Sequence, residues 1–535
     1  MKNIFKNSLY ISGILCILAI NACKESIDPV IDELSFTRAF TPNDLNAQIS
    51  DVTTVTLTWS AVKNTSHYVV EIYQGVDFVQ AALVHTADVD SSQLTYQYVL
   101  PAGDTQFSAR LKSVSANEGV EDSKWTNVEF RSLPENLFDG YKTEMTGIGS
   151  ITVRWSPGET VTGLVFDDGS NEIPYTISAD EMAAGEKSLT GVPNAHYEIR
   201  LVNMTFTRGR INYTLEGDAI LTTGGSLNEA LDALPAGGVL ILTNGENYFL
   251  TRVDTVDLSI KIRGLYPDNL PKIFLITGGG NHMFDIGSTM TLTDSLVFEN
   301  VDISCAYDDN PGTRHRGLID QENTPFAIGA IKFNNCIIRN SGRSAIRLRG
   351  NAAGQVINNT EFNNCIMYDF AFDSHYGVLN GALTGNFINV KFSNSTVYNI
   401  RGGILNYGNG AGCQNVILDN CTFDRTVMDA TTARFFIDFG TGGNTSTGTI
   451  NVSDCIFGST SLISNGIRNS NMTLTINGSY FTNDFVNVAN SITSMLTAYS
   501  GASTSLWTNP SAGDFTFLDT NFPGKQTSGD SRWWP

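Results

Sequence analysis

Phe333-Asn334-Asn335-Cys336 and Phe362-Asn363-Asn364-Cys365 decide the fold. The same pattern returns as Phe392-Ser393-Asn394-Ser395, Leu418-Asp419-Asn420-Cys421, Val452-Ser453-Asp454-Cys455 and Ile476-Asn477-Gly478-Ser479, and first occurs at Phe298-Glu299-Asn300-Val301. Between the closing residues the spacings are 35, 29, 30, 26, 34 and 24. A period of this size is one coil of a solenoid whose loops vary in length. The apolar residue points inward, and the corner Asn can stack its amide on the Asn of the next coil. Cys336, Cys365, Cys421 and Cys455 share a column with Val301, Ser395 and Ser479. A disulfide partner is not interchangeable with serine or valine. Most of the six cysteines from Cys305 onward therefore read as buried free thiols.

A second column follows each repeat after a short turn: Ala345-Ile346-Arg347-Leu348-Arg349, Gly377-Val378-Leu379-Asn380, Gly403-Ile404-Leu405-Asn406-Tyr407 and Phe436-Ile437-Asp438-Phe439. Alternation along a strand sends one set inward and the other to solvent. In that register Arg347, Arg349, Asn380, Asn406 and Asp438 lie on one outer face. Upstream, Ser226-Leu227-Asn228-Glu229 reads as a capping box, with Leu227, Ala230, Leu231 and Leu234 on one helical face. The helix stops at Pro235-Ala236-Gly237-Gly238 and the strand Val239-Leu240-Ile241-Leu242 begins at once. A helix leading into this strand resembles the N-terminal cap of the pectate-lyase-like superfamily, which implies a right-handed parallel β-helix over residues 218–535. The stretch from Leu506-Trp507 to Trp533-Trp534 reads as a tail folding back over the last coil.

Before the solenoid the period changes to two. Val55-Thr56-Leu57-Thr58-Trp59, Tyr68 to Tyr73, Phe107 to Val114 and Ser123-Lys124-Trp125 are short alternating strands without a disulfide pair, which predicts a β-sandwich over 42–133. Their order resembles the fibronectin type III family. Ile151-Thr152-Val153-Arg154-Trp155 and Tyr197-Glu198-Ile199-Arg200-Leu201 mark a second copy over 134–217. The tryptophans that end these strands read as core residues. Such modules space or present another domain, and neither contains a catalytic constellation. The chain is thus expected to be all-β: two sandwiches, then a β-helix with a helical N-terminal cap.

Lys2 and Lys6, the apolar run Leu9–Ile20 and Asn21-Ala22-Cys23 describe an export signal over 1–22. The apolar core is shorter than the ~20 residues a permanent span needs. Ile20-Asn21-Ala22-Cys23 resembles the bacterial lipobox, which implies lipidation of Cys23 and a polar tether over 23–41. Membrane contact is then through the lipid alone. The net charge of -21 argues against nucleic acid and anionic lipid as general partners. From about residue 220 the chain resembles pectate-lyase-like lipoproteins of the Bacteroidetes, often found in polysaccharide-utilisation systems; this implies an outer-membrane, surface-exposed location.

Residues 312–349 run against the acidic background. They hold Arg314, Arg316, Lys332, Arg339, Arg343, Arg347 and Arg349 with His315, against Asp320 and Glu322. Such a stretch suits a polyanion, and a polyuronate such as pectate or alginate fits the compartment. Arg343, Arg347 and Arg349 are candidate carboxylate binders, joined by Asn380, Asn406 and Asp438. His375 and Tyr376, with Arg347, are the candidate catalytic set for β-elimination, which needs a neutralised carboxylate and a base beside it. The hydrolase set "N-T-D, D-D, G-H-G, R-I-K" and the lyase motifs "W-I-D-H" and "R-x-P-x-x-R" are absent. Asp369 and Asp373 could help hold Ca²⁺, but two carboxylates four apart are a common accident, so no metal or other cofactor is expected. Three readings follow: a binder of an acidic polysaccharide, a polysaccharide lyase, and a non-catalytic adhesin or stalk.

Overall fold

The structure, a computed structural model, describes residues 36–277, 281–322, 324–349, 354–370, 374–381, 385–408, 412–440 and 444–535. Cys23, the signal segment and Asp373 lie outside the described residues.

The first sandwich packs a three-stranded sheet (Asn46–Ser50, Thr54–Thr58, Thr95–Val99) on a four-stranded one ordered Leu83–Asp90, Thr65–Gln74, Gln106–Ser115, Thr126–Arg131. The second repeats this order with Glu144–Gly147, Ser150–Arg154 and Glu186–Leu189 against Glu172–Thr176, Gly163–Asp167, Ala195–Asn203 and Phe206–Leu215. The three-plus-four arrangement is fibronectin type III-like in both. Trp59 and Trp155 are core residues, as the strand pattern predicts. Trp125 is not: it stands half-exposed outside the four-stranded sheet, with the Arg110 guanidinium 4.3 Å from its ring centroid. Its strand position faces outward, where a cation and an aromatic face attract each other. Residues 37–40, inside the expected tether, are bonded to the first sandwich, Ala39 N donating to Glu121 O at 2.8 Å. Phe206 of the second module meets Phe107 of the first at 6.4 Å, and Gly103 N of the first donates at 3.0 Å to Glu135 of the second, which Arg208 holds together with Glu159.

Beyond Ala219 the chain winds into three parallel walls. Wall one has ten strands, from Ala219–Leu221 to Thr473–Asn477. Wall two has eleven, from Gly225–Ser226 to Thr497–Ala498. Wall three has six: Gly317–Gln321, Ser344–Leu348, Leu379–Asn380, Leu405–Asn406, Phe435–Asp438 and Asn465–Arg468. Each repeat is the corner between walls one and two. Asn300, Asn335, Asn364, Asn394, Asn420 and Asp454 all take φ between 45° and 54° there, a left-handed conformation that Asn and Asp tolerate better than other side-chain-bearing residues. Asn335 Nδ2 donates to Asn300 Oδ1 at 2.9 Å, and Asn364 Nδ2 to Asn335 Oδ1 at 3.0 Å. Inside, Phe298, Phe333, Phe362 and Phe392 stack at 5.2, 4.8 and 4.7 Å. The six described cysteines are buried and free, and burial pushes the Cys305 thiol up to about 12.

One expectation is corrected at the ends and another is extended. The capping box does not form: Ser226 is held in a parallel strand against Phe249, and the helix is Asn228–Asp232 with Leu227 at its N-cap. Leu227, Leu231 and Leu234 still bury themselves on the first coil, where the second sandwich also packs through a core containing Val239, Ile241 and Leu265. The tail does fold back onto the last coil, where Phe522 meets Tyr480 at 4.9 Å and Ser528 Oγ donates to Gly478 O at 3.0 Å, but it does not stop there. It runs back along the outside of wall two, where Trp507, Phe515 and Phe522 cluster with Tyr398 and Ile456. Trp533 Nε1 and the Asp530 carboxylate both bond the Thr396 hydroxyl at 2.8 Å, and Arg532 donates to Asn364 Oδ1 at 2.7 Å. The outer face of wall two is apolar there, and covering it removes apolar surface from water.

Candidate functional site

Wall three is short-stranded, and in each coil one register position carries a polar or charged residue beside a buried apolar one; of these, Asp320 and Asn380 are themselves buried, against the expectation that the whole column faces solvent. Ile319, Ile346, Leu379, Leu405, Ile437 and Ile467 are buried, while the next residues pair in one column: Asp320, Arg347, Asn380, Asn406, Asp438, Arg468. The candidate residues Arg347, Asn380, Asn406 and Asp438 are therefore neighbours at the ~4.8 Å step between strands. In one register at the corner stand Arg316, Arg343 and Arg434, each one residue before its strand, and Tyr376 and Gly402, each three residues before its shorter one.

The side chain of Asp320 is fully buried and draws three arginines. Arg343 Nη1 approaches Oδ2 at 3.2 Å, while Arg347 Nη1 and Arg349 Nε stand 3.6 and 3.4 Å from Oδ1. Only the first of these is a hydrogen bond, and Oδ1 has none. Arg349 also reaches Glu322 at 3.0 Å. Burial lowers the Arg347 pKa, and Asp320 only partly restores it because the other two arginines oppose it. The Arg347 guanidinium lies 4.0 Å from the centroid of the Tyr376 ring, and Tyr376 stands 5.2 Å from His375. Burial, then the Arg434 charge, lowers the His375 pKa below its ordinary 6.5, so the ring is neutral at pH 7.

A second cluster lies further along. Arg401 and Arg434 share the buried Asp429 at 3.7 and 3.5 Å. Burial opposes ionisation of Asp429, but hydrogen bonds from Thr431 and Thr432 and the Arg401 charge outweigh it and hold the carboxyl at about 2. Asn380 is buried and donates to Tyr376 O at 3.4 Å, whereas Asn406 is half-exposed. Asp438 is matched by Arg468 at 2.7 and 2.8 Å, a bidentate pair that leaves it little for a ligand.

The basic stretch 312–349 does not act as one site. Lys332 faces out from wall one beside Glu361 at 3.2 Å, and Arg339 is locked on wall two by Asp302 and Asp309. His315 is buried, its Nε2 3.1 Å from Leu275 O, and burial lowers its pKa. A linear run of charge is divided among three walls because the chain turns twice within it. Arg401, Asp429, Arg434 and Arg468 belong to the wall-three face and escape a reading by local charge. Extending the register of the polar column and its preceding corner would have found Arg434 and Arg468. Asp369 accepts a hydrogen bond from Asn399 in the corner between walls two and three. Among the described residues no three His, Cys, Asp or Glu side chains converge as a metal site.

Residues 416–533 match a family described as a domain of unknown function, DUF5123. Curated proteins give no match. Among solved structures, a two-domain fibronectin type III segment of chicken tenascin is 17% identical, covers 33% of this chain and 98% of that one, with a TM-score of 0.20. The fn3 domain of human contactin 1 is 14% identical and covers 21% and 92%, with a TM-score of 0.17. A domain of human collagen XX is 11% identical and covers 18% and 99%, with a TM-score of 0.15. The sandwich assignment rests on strand order and not on these scores.

Proposed function

We propose that the outer face of wall three holds an extended acidic polysaccharide, a uronate-bearing polymer such as pectin, and serves glycan utilisation at the cell surface. The observation that carries this reading is the surplus of arginine over Asp320 on a linear face, where Arg343, Arg347 and Arg349 stay partly exposed. Three guanidiniums stand by the buried Asp320 carboxylate, and only Arg349 has a second carboxylate, Glu322, so the described charges of the cluster sum positive and a carboxylate on a ligand would balance them. The two sandwiches hold this face away from an envelope to which Cys23 anchors the chain. Among the described residues no helix is long and apolar enough to cross a membrane.

Native gels cast with polygalacturonate, alginate or glycosaminoglycans test the proposal. At least one acidic polymer should retard the protein, and Arg347→Ala should abolish the shift. Normal migration in every gel returns the protein to the adhesin or stalk reading. A second reading, β-elimination, draws on one observation: His375 is neutral and close to Tyr376, beside the arginines that would hold the sugar carboxylate. Its readout is ultraviolet absorbance of unsaturated uronate that disappears in His375→Ala; retardation without absorbance leaves a binder.

A further inference from the structure

The first sandwich has two poles. At one it meets the second sandwich, with Gly103 N donating to Glu135 at 3.0 Å and Asn203 Nδ2 donating to Pro101 O at 3.4 Å. The ten-residue strand Gln106–Ser115 leads from there to the other pole, a distance of about 30 Å. That far pole is where the described chain begins. Phe40 O accepts from Ser113 Oγ at 2.7 Å, Ala39 N donates to Glu121 O at 2.8 Å and Ala116 N to Asn64 O at 2.9 Å, so residues 36–40, 63–64 and 115–121 form one surface. Phe36 and Phe40 are 44% and 56% exposed and pack edge to face, ring centroids 4.6 Å apart. With Val120, Lys63 and Asn117 they line a hollow of about 230 Å³. A single exposed apolar residue needs no explanation, but two phenyl rings in contact beside a hollow do. The charges around them are of both signs. Arg38 is paired with Glu121, while Lys63 and Glu118 are exposed and make no ion pair among the described residues.

We propose, on the reading that Cys23 carries a lipid, that this pole is a foot resting in the headgroup layer of the anchoring membrane. Cys23 stands thirteen residues before Phe36, at most about 45 Å of extended chain, so the anchor holds this pole within reach of the bilayer. Phe36, Phe40 and Val120 enter the boundary between headgroups and acyl chains, where apolar side chains leave water. The mixed charge fits a zwitterionic headgroup: Lys63 meets its phosphate and Glu118 its ammonium. An anionic surface is disfavoured by the net charge of -21. A lipid alone tethers the chain without orienting it. A second contact at this pole sets the sandwiches upright and turns wall three away from the membrane.

Tryptophan fluorescence of the acylated full chain on phosphatidylethanolamine–phosphatidylcholine vesicles, with bromine on the acyl chains, tests the foot. Phe40→Trp should add emission that the brominated lipid quenches. Val76→Trp lies at the opposite pole, where Gly75 N donates to Gln106 O at 2.7 Å and Val76 is 49% exposed, and its added emission should escape quenching. Lys63→Glu in the Phe40→Trp chain should remove the quenching and leave flotation with the vesicles unchanged. An anchored chain without quenching in Phe40→Trp overturns the foot alone. Quenching in both tryptophan variants does so too, because the chain then lies along the membrane. Quenching that survives Lys63→Glu overturns the headgroup contact. A blue shift of the Phe40→Trp emission that grows with protein concentration in the absence of vesicles gives the pole to a second copy and overturns the proposal. Failure of the natural chain to float with the vesicles overturns the anchorage beneath it as well.

Discussion

Arg339 and Arg347 stand eight residues apart, on adjacent walls of one coil, in opposite electrostatic states. Arg339 makes 2.8 and 2.9 Å bonds to Asp302 and a 2.9 Å contact with Asp309. Burial works against its charge, but these carboxylates outweigh burial and raise its pKa. Arg347 has one carboxylate, at 3.6 Å, which it shares with two other arginines, and its pKa is lowered. The difference extends to the walls. Wall two has Arg339 matched and part of its outer face covered by the C-terminal tail, whereas on wall three, among the described residues, three arginines crowd one buried carboxylate and only Arg349 has a second. A satisfied buried charge serves the fold; an unsatisfied one on an open face is available to a ligand.

The sharpest way to break this comparison is to remove each arginine in turn. Arg339→Ala strands Asp302 and should cost about 3–5 kcal/mol in urea unfolding. Arg347→Ala relieves crowding around Asp320 and should change stability by no more than about 1 kcal/mol, while losing polymer retardation. Equal stability losses in the two variants would erase the distinction between the walls.

A smaller effect should come from Asp424, which adjoins Trp507 of the tail at Gly458. Burial raises its carboxyl from 3.8 to about 6, opposed only in part by hydrogen bonds from Ser459. Because the folded pKa is the higher one, its contribution is full below about 3.8 and is lost as pH rises through 6, on the order of 3 kcal/mol. Asp424→Asn should therefore be more stable than the natural chain at pH 8 and indistinguishable from it near pH 4. A pH-independent difference would show that the covered face tolerates the charge. The smallest effect is expected at Asn406, half-exposed on wall three: Asn406→Ala should shift stability by less than about 0.5 kcal/mol. A loss of several times that would make this column structural.

Periodic features were legible without a structure. The Phe-Asn-Asn-Cys repeat identified the coil, its corner and the inward stack, because each coil repeats the same local problem. The polar column followed by counting from the same corner. Local charge was misleading, since Lys332, Arg339 and Arg347 are close in sequence yet face three directions. The wall-two covering by Trp507 and Trp533 was also hidden, because the tail docks on Asn364, Thr396 and Thr422, more than a hundred residues earlier.

What the sequence determined by itself is the class of architecture: period two for the sandwiches, a 24–35-residue period for the solenoid, and Asn where the backbone turns left-handed. Local backbone preference and alternation of apolar residues suffice for that. Only the tertiary structure decided which charges are matched. The pairing of Arg339 with Asp302, the crowding of three arginines on Asp320 and the sharing of Asp429 join residues 23 to 37 positions apart, and in one case only 5, across coils and corners. An ion pair depends on distance through space, and in a solenoid that distance is set by which coil and wall a residue occupies.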